Sequence, residues 1–353
     1  MKKGIFLTLA VFITTLVLIQ FSNPANACTR AVYKGTDGNY LTARSMDWVS
    51  EIPANLWVMP RGIERNGQAG SNSVAWTAKY GSLVTSAWEI ATADGMNEKG
   101  LVANVLWLVE TEYPKFNPDG NKKGLAVSLW GQFALDNFAS VKEAVAYFSK
   151  DEITVVSDYL PGTETYATVH LSLSDADGDN AIFEYIDGKL VIHHDKSYNV
   201  MTNSPTFDQQ LALNSYWKSI PGTTMLPGTN RAADRFVRAS YYMDAIPKND
   251  NTKIAVASVF SVIRNCSVPF GISMPDEPNI ASTRWRTVSD HKNMVYYYES
   301  ALTPNTFWVD MKKLDFSEKA SVKKLAVDKE QSYSGETSAM FEKTKAFEFF
   351  GLE

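Results

Sequence analysis

The residues whose types and spacing carry the most chemistry are Cys28, Arg44 and Asp47. Ahead of Cys28 lie Met1-Lys2-Lys3-Gly4, an apolar run from Ile5 to Ile19, the helix-breaking Ser22-Asn23-Pro24, and Ala25-Asn26-Ala27. A charged start, a short apolar core and an Ala-x-Ala end describe a cleavable signal peptide, so residues 1–27 are expected to be removed between Ala27 and Cys28. The run is shorter than the roughly 20 residues a membrane span needs. Cys28 then becomes the first residue of the mature chain, with a thiol and a free α-amine together. Their ordinary pKa values, about 8.5 and about 7.7–8.0, let the amine accept the thiol proton near neutral pH. Such a residue is nucleophile and base at once and needs no histidine. A neighbouring cation would lower the thiol pKa further, and a carboxylate would hold the amine. Arg44 and Asp47, in Arg44-Ser45-Met46-Asp47-Trp48, are that cation and anion. The competing reading is an ordinary ion pair at a strand end.

The elements that must position these groups start at Cys28. Ala31–Gly35 and Tyr40–Arg44 flank Thr36-Asp37-Gly38-Asn39 and read as a hairpin. Leu56–Pro60 and Ser73–Lys79 read as further strands. Asp94–Gly100 reads as the turn of a second hairpin between Ile90-Ala91-Thr92 and Leu101–Leu106, apolar on both faces and therefore central. From Ala126 to Phe148 the period changes to that of one or two amphipathic helices, with Ser140 and Glu143 as a capping box. Strands return at Thr168–Leu173, on both sides of Asp187-Gly188, and at Tyr198–Thr202. Arg231–Asp244 and the stretch before Phe260 read as helices, and 296–298 and Thr306–Val309 as late strands. Nothing repeats and no linker divides the chain, so residues 28–353 are expected to form one α+β domain of sheets covered by helices.

Composition narrows the function. The net charge is −5, and loss of Lys2 and Lys3 takes it to −7, with no basic stripe. Nucleic acid and anionic membranes are therefore not expected partners, and the mature chain should be soluble. No Cys/His cluster has zinc spacing, so no metal or other cofactor is expected. The two cysteines, Cys28 and Cys266, leave a disulfide open, but Cys266 sits among apolar residues and reads more simply as a buried free thiol.

Four segments resemble, in order, the choloylglycine hydrolase family of N-terminal-nucleophile hydrolases, which contains penicillin V acylases and conjugated bile salt hydrolases. They are Cys28-Thr29-Arg30 with Thr42–Trp48, Asp94–Leu101, Met201–Phe207, and Asp234–Arg238. The resemblance implies a four-layer αββα sandwich and hydrolysis of a linear amide through a thioester on Cys28. Arg44 would stabilise the thiolate and Asp47 would orient the amine. Asn203 would donate its side-chain amide to the oxyanion, with a backbone N–H near Trp107 as second donor, and Arg235 would complete the polar ring. For Asn203 the plainer alternative is a turn-shaping residue in Asn-Ser-Pro. For Arg235 it is a solvated helix charge, since Arg231, Arg235 and Arg238 share a face. Relatives often form homotetramers. The interval of 32 positions between Asn203 and Arg235 lacks the longer excursion that helps to hold them together.

Trp48 and Trp107 are the candidate substrate-binding residues, although such aromatics serve equally well as core. As a pocket they favour a flat or long apolar acyl group on a small molecule: phenoxyacetyl of penicillin V or the chain of an acyl-homoserine lactone. The bulkier bile salts are the alternative. A more distant one is a lipoprotein anchored through Cys28, although Ala25 and Asn26 fit a lipoprotein signal poorly. The expected location is the periplasm or the exterior.

Overall fold

The computed structural model describes residues 28–272, 281–327 and 332–352. The expected signal peptide, 1–27, lies outside the described residues. Two large sheets dominate. The first runs in the order Val200–Thr202, Thr29–Lys34, Tyr40–Trp48, Ser282–Asp290, Val295–Ser300, Thr306–Asp310, Gly335–Glu336. The second runs Lys189–His194, Asn180–Ile186, Val169–Ser174, Val102–Trp107, Ala91–Asn97, Ser82–Ala87, Asn55–Met59, Lys323–Ala326, Glu342–Lys343. Their inner faces meet in a mixed core. Tyr296 and Thr287 of the first sheet donate to Asp94 of the second, and Thr42 bonds Ser174 across the same seam at 2.8 Å. Helices Trp130–Asn137 and Val141–Phe148 cover the second sheet, and Ala232–Ala245 and Thr252–Asn265 the first. The expected α+β, αββα arrangement is what the chain adopts.

The first hairpin forms as read, with Ala31 opposite Ala43. The second differs. Asp94-Gly95-Met96 belongs to strand Ala91–Asn97, and the turn is confined to Glu98–Gly100. Turn-forming residue types yield here because Asp94 finds its hydrogen bonds between the sheets, while Gly95 is a packing glycine. A Cβ on it would stand 2.7 Å from Val84 Cγ1 and 2.8 Å from the Leu83 carbonyl. Ser73–Lys79 yields only the short strand Ala75–Thr77, paired in a small separate hairpin. Ser140 caps its helix as expected, accepting from the Glu143 N–H at 3.3 Å, while Glu143 reaches back to Ala139 at 2.8 Å. The partner of the second strand, Ser282–Asp290, and helix Phe207–Lys218 had no counterpart in the sequence reading. Cys266 is a buried free thiol, as Cys28 is, and the two are not bonded.

Candidate active site

Strand alternation distributes the site over both faces of the first sheet. On Tyr40–Trp48, the side chains of Arg44, Met46 and Trp48 point between the sheets, so Ser45 and Asp47 point to the helix layer. Cys28, at the head of the first strand, lies on the inner side with Arg44. Its Sγ is 3.9 Å from Arg44 Nη2, 3.8 Å from Met46 Sδ and 3.8 Å from the Asp47 carbonyl oxygen. Arg44 is itself fixed by donating to the Val105 carbonyl at 3.1 Å, with its guanidinium 4.4 Å over the Trp285 ring. Burial nonetheless outweighs the cation. The Cys28 thiol is pushed above its ordinary value, with Arg44 opposing the desolvation. The expected depression of the thiol pKa does not occur, and the nucleophile rests as a thiol.

On the other face, a bulge at Arg284 brings Thr283 opposite Asp47, so that the Thr283 hydroxyl donates to the Asp47 carboxyl. Asp47 also lies 3.4 Å from Ser45 Oγ and 3.9 Å from Arg235 Nη1. Desolvation raises its pKa to about 6, against the pull of Arg235 and Thr283.

Arg235 is not a solvated helix charge but fully buried. Its Nη1 donates to the Cys28 carbonyl at 2.6 Å and to Thr29 Oγ1 at 2.5 Å, Nη2 to Asn203 Oδ1 at 3.2 Å, and Nε to the Asn230 carbonyl at 3.0 Å. Arg238 turns instead to the carbonyls of Pro227 and Thr229. Asn203 follows the strand Val200–Thr202, which pairs with the first strand through Thr202 and Thr29. Its Oδ1 also accepts from the Cys28 nitrogen, and its Nδ2 donates to the Trp107 carbonyl at 2.7 Å. Two donors on one side and a carbonyl on the other fix the amide orientation, and one of the two Nδ2 hydrogens is left over. In the full-length chain the Cys28 nitrogen is a peptide amide with a single hydrogen. That hydrogen goes to Asn203.

Two supporting residues escaped the sequence reading. Gln210, buried in helix Phe207–Lys218, wraps the Asn203 turn. Its Oε1 accepts from the Thr202 N–H and hydroxyl at 3.3 and 3.2 Å, and its Nε2 donates to the Asn203 and Pro205 carbonyls. Glu184 accepts from the Phe207 N–H that opens this helix, and hydrogen bonds from His170 and His193 outweigh its burial and hold its pKa down to about 2. A helix starting two residues after Asn-Ser-Pro was the available signal.

The thiol opens into an apolar cavity that is partly open to solvent. Trp48 stands edge-on to Trp107 at 5.2 Å and to Trp88 at 5.3 Å, and all three rings line the cavity beside Cys28. Both predicted tryptophans are therefore beside the nucleophile, and Trp88 joins them from a turn where Trp88 and Glu89 take φ of 51° and 54°. A tryptophan in the left-handed region costs roughly 1–2 kcal/mol, a local strain of the kind found where a side chain is aimed into a site. Among the described residues, no group of three or more His, Cys, Asp and Glu side chains is placed to hold a metal ion.

The model of the family described as linear amide C–N hydrolases, choloylglycine hydrolase family, matches residues 28–324. The chain is 53% identical over 348 residues to a penicillin V acylase of Pectobacterium atrosepticum, covering 92% of this chain and 93% of that one. It is 29% identical to a bile salt hydrolase/transferase of Clostridium perfringens, covering 81% and 93%. The solved penicillin V acylase from Agrobacterium tumefaciens superposes with a TM-score of 0.86 at 58% identity, over 92% of this chain and 100% of that one. A buried cysteine in the wall of an apolar cavity, with buried arginines and an amide donor around it, thus sits in a chain that belongs to the choloylglycine hydrolase family of linear amide C–N hydrolases.

Proposed function

We propose that this chain is exported to the periplasm or beyond, is cut before Cys28, and hydrolyses the amide of small molecules bearing a flat or long apolar acyl group. Penicillin V and N-acyl-homoserine lactones are the substrates, the latter reaction silencing a diffusible signal. The observation that carries this reading is the placement of the Cys28 thiol in the lining of the apolar cavity formed with Trp48, Trp88 and Trp107. The similarity to penicillin V acylases supports the substrate class, and the family match beginning at residue 28 supports the cut.

Cleavage turns the Cys28 nitrogen into an amine. As a free base it takes the thiol proton, which a thiol raised by burial does not give up unaided. The sulfur attacks the acyl carbon, with Arg44 beside the developing thiolate. The tetrahedral oxyanion takes the spare Nδ2 hydrogen of Asn203. A second donor is the Trp107 N–H. Leu108 donates to the Thr168 carbonyl, so strand alternation turns the Trp107 amide to the other edge, where its carbonyl meets Asn203. The leaving amine departs with the proton, and water then cleaves the thioester by the reverse proton traffic. Arg235 holds the Cys28 carbonyl and Asn203 in register, and Asp47 offers the new amine an acceptor.

The test is a panel of penicillin V, penicillin G, glycocholate and short- and long-chain acyl-homoserine lactones on the mature enzyme. Cys28→Ala should abolish turnover of every substrate; appreciable residual hydrolysis refutes the mechanism. Preferred turnover of glycocholate would replace the substrate assignment by bile salts. Mass spectrometry of the mature N-terminus should show unmodified Cys28; a diacylglyceryl group there overturns the hydrolase role.

A further inference from the structure

One residue of the cavity lining comes from beyond the segment that matches the family. That match ends at residue 324, yet Phe350 lines the cavity together with Ile90 and Ser128. The tail that carries Phe350 is pinned on both sides of it. The Phe350 N–H donates to the Ile90 carbonyl at 2.9 Å, and its carbonyl accepts from the Ser128 hydroxyl. The Leu352 N–H donates to the Gln68 carbonyl at 2.8 Å. Phe347 packs edge-on to Trp57 at 5.1 Å, and the Arg65 guanidinium lies 5.2 Å over Phe349. Gly351 is pressed so closely on Gln68 that a Cβ would approach its carbonyl oxygen to 2.3 Å. Ile90 precedes strand Ala91–Asn97 and Ser128 lies in the turn before helix Trp130–Asn137, so the tail packs along the flank of the second sheet and sets a half-buried ring into the cavity lining.

We infer that Phe350 and the tail that holds it determine how long an acyl group the enzyme accepts, an inference that rests on the acylase reading above. A ring in the cavity lining takes up space that the acyl group would otherwise fill, and an apolar pocket discriminates one methylene by about 10–200-fold. Removing the ring deepens the cavity for longer chains, and enlarging it shortens the accepted chain. Gly351 acts from outside: a side chain there pushes the tail off Gln68 and withdraws Phe350 without altering it.

The experiment measures kcat/KM for hexanoyl- and dodecanoyl-homoserine lactone with the mature wild type, Phe350→Ala, Phe350→Trp and Gly351→Val, each checked for a cooperative melt. Phe350→Ala and Gly351→Val should raise the dodecanoyl-to-hexanoyl ratio by about tenfold or more, and Phe350→Trp should lower it. An unchanged ratio in folded Phe350→Ala and Phe350→Trp overturns the inference. If the wild type turns over neither these lactones nor penicillin V, the acylase reading fails by itself. The tail is then judged by hexanoate and dodecanoate binding, read from tryptophan fluorescence. The same shift in relative affinity sustains its role, and unchanged affinities refute it.

Discussion

Replacing Asn203 by alanine removes four interactions at once, and they act on different quantities. Nδ2 supplies the oxyanion donor, worth about 2.7–4 kcal/mol of transition-state stabilisation, or 10²–10³ in kcat. Because that hydrogen bond strengthens only as the oxyanion forms, KM should stay within about twofold. The other three interactions are structural. Oδ1 accepts from Arg235 and the Cys28 nitrogen, and Nδ2 donates to the Trp107 carbonyl. Leaving buried partners unsatisfied costs about 1–3 kcal/mol each. Arg235 keeps its bonds to Cys28, Thr29 and Asn230, and water entering from the cavity relieves the rest, so the fold survives with a lower Tm. Asn203→Asp separates the two effects. It retains Oδ1 and sets an oxygen in place of Nδ2 against the Trp107 carbonyl. Initial rates on penicillin V across a concentration series, with a thermal melt for each variant, read both. The reasoning is refuted if either folded variant keeps more than about a tenth of wild-type kcat, or if the loss falls on KM.

Asp47, raised from 3.8 to about 6, keeps its proton in the folded chain at pH values where the unfolded chain has lost it. Stability contributed by this group therefore falls as pH rises from about 4 to about 6, by about 3 kcal/mol in all. Urea unfolding at pH 4.5 and 7.5 should show a smaller decline for Asp47→Asn than for wild type; equal declines contradict it. Gln210→Leu leaves the Thr202 N–H and the Asn203 and Pro205 carbonyls without their partner; kcat should drop about tenfold with KM nearly constant, as expected for a loosened oxyanion donor. Gly95→Ala forces a methyl against Val84 and Leu83, an overpacking worth about 1–3 kcal/mol that should lower the Tm by several degrees. A chain in which Ala27 is kept attached to Cys28 should be folded but inactive on the whole panel, because its nitrogen is an amide; turnover by that precursor would disprove the amine base.

The first hairpin, with Arg44 and Asp47 near its end, was legible in the sequence because it depends on local order, a turn and charges at a strand end; Asn203 and Arg235, remote in sequence, came only from the family resemblance. What was hidden depends on contacts between distant segments. Thr283 meets Asp47 only because a bulge resets the register of a strand whose S-T-R-W-R-T pattern carries no clear alternation. Gln210 is one more polar residue on a helix with a weak apolar face. Trp88 sits in a turn built from residues that rarely adopt positive φ, so nothing local announced it. Asp94-Gly95 misled for the converse reason: its residue types are those of a turn, and only the cross-sheet partners of Asp94 and the crowding at Gly95 hold them extended. The fall of the thiol pKa failed because a charge at 3.9 Å was weighed without the burial that accompanies it.

The seam between the two sheets also divides labour. Cys28, Arg44, Asp47, Asn203, Arg235 and Thr283 all come from the first sheet and the segments packed on it, whereas Trp88, Ile90 and Phe350 come from the flank of the second; only Trp48, on the first sheet, and Trp107, which holds Asn203, cross that division. Substitutions that reshape the cavity therefore need not disturb the groups that break the bond. Selection can retune the acyl specificity of such an enzyme by drift on one side of the seam while the other side stays fixed, and laboratory evolution aimed at new amides should begin its libraries there.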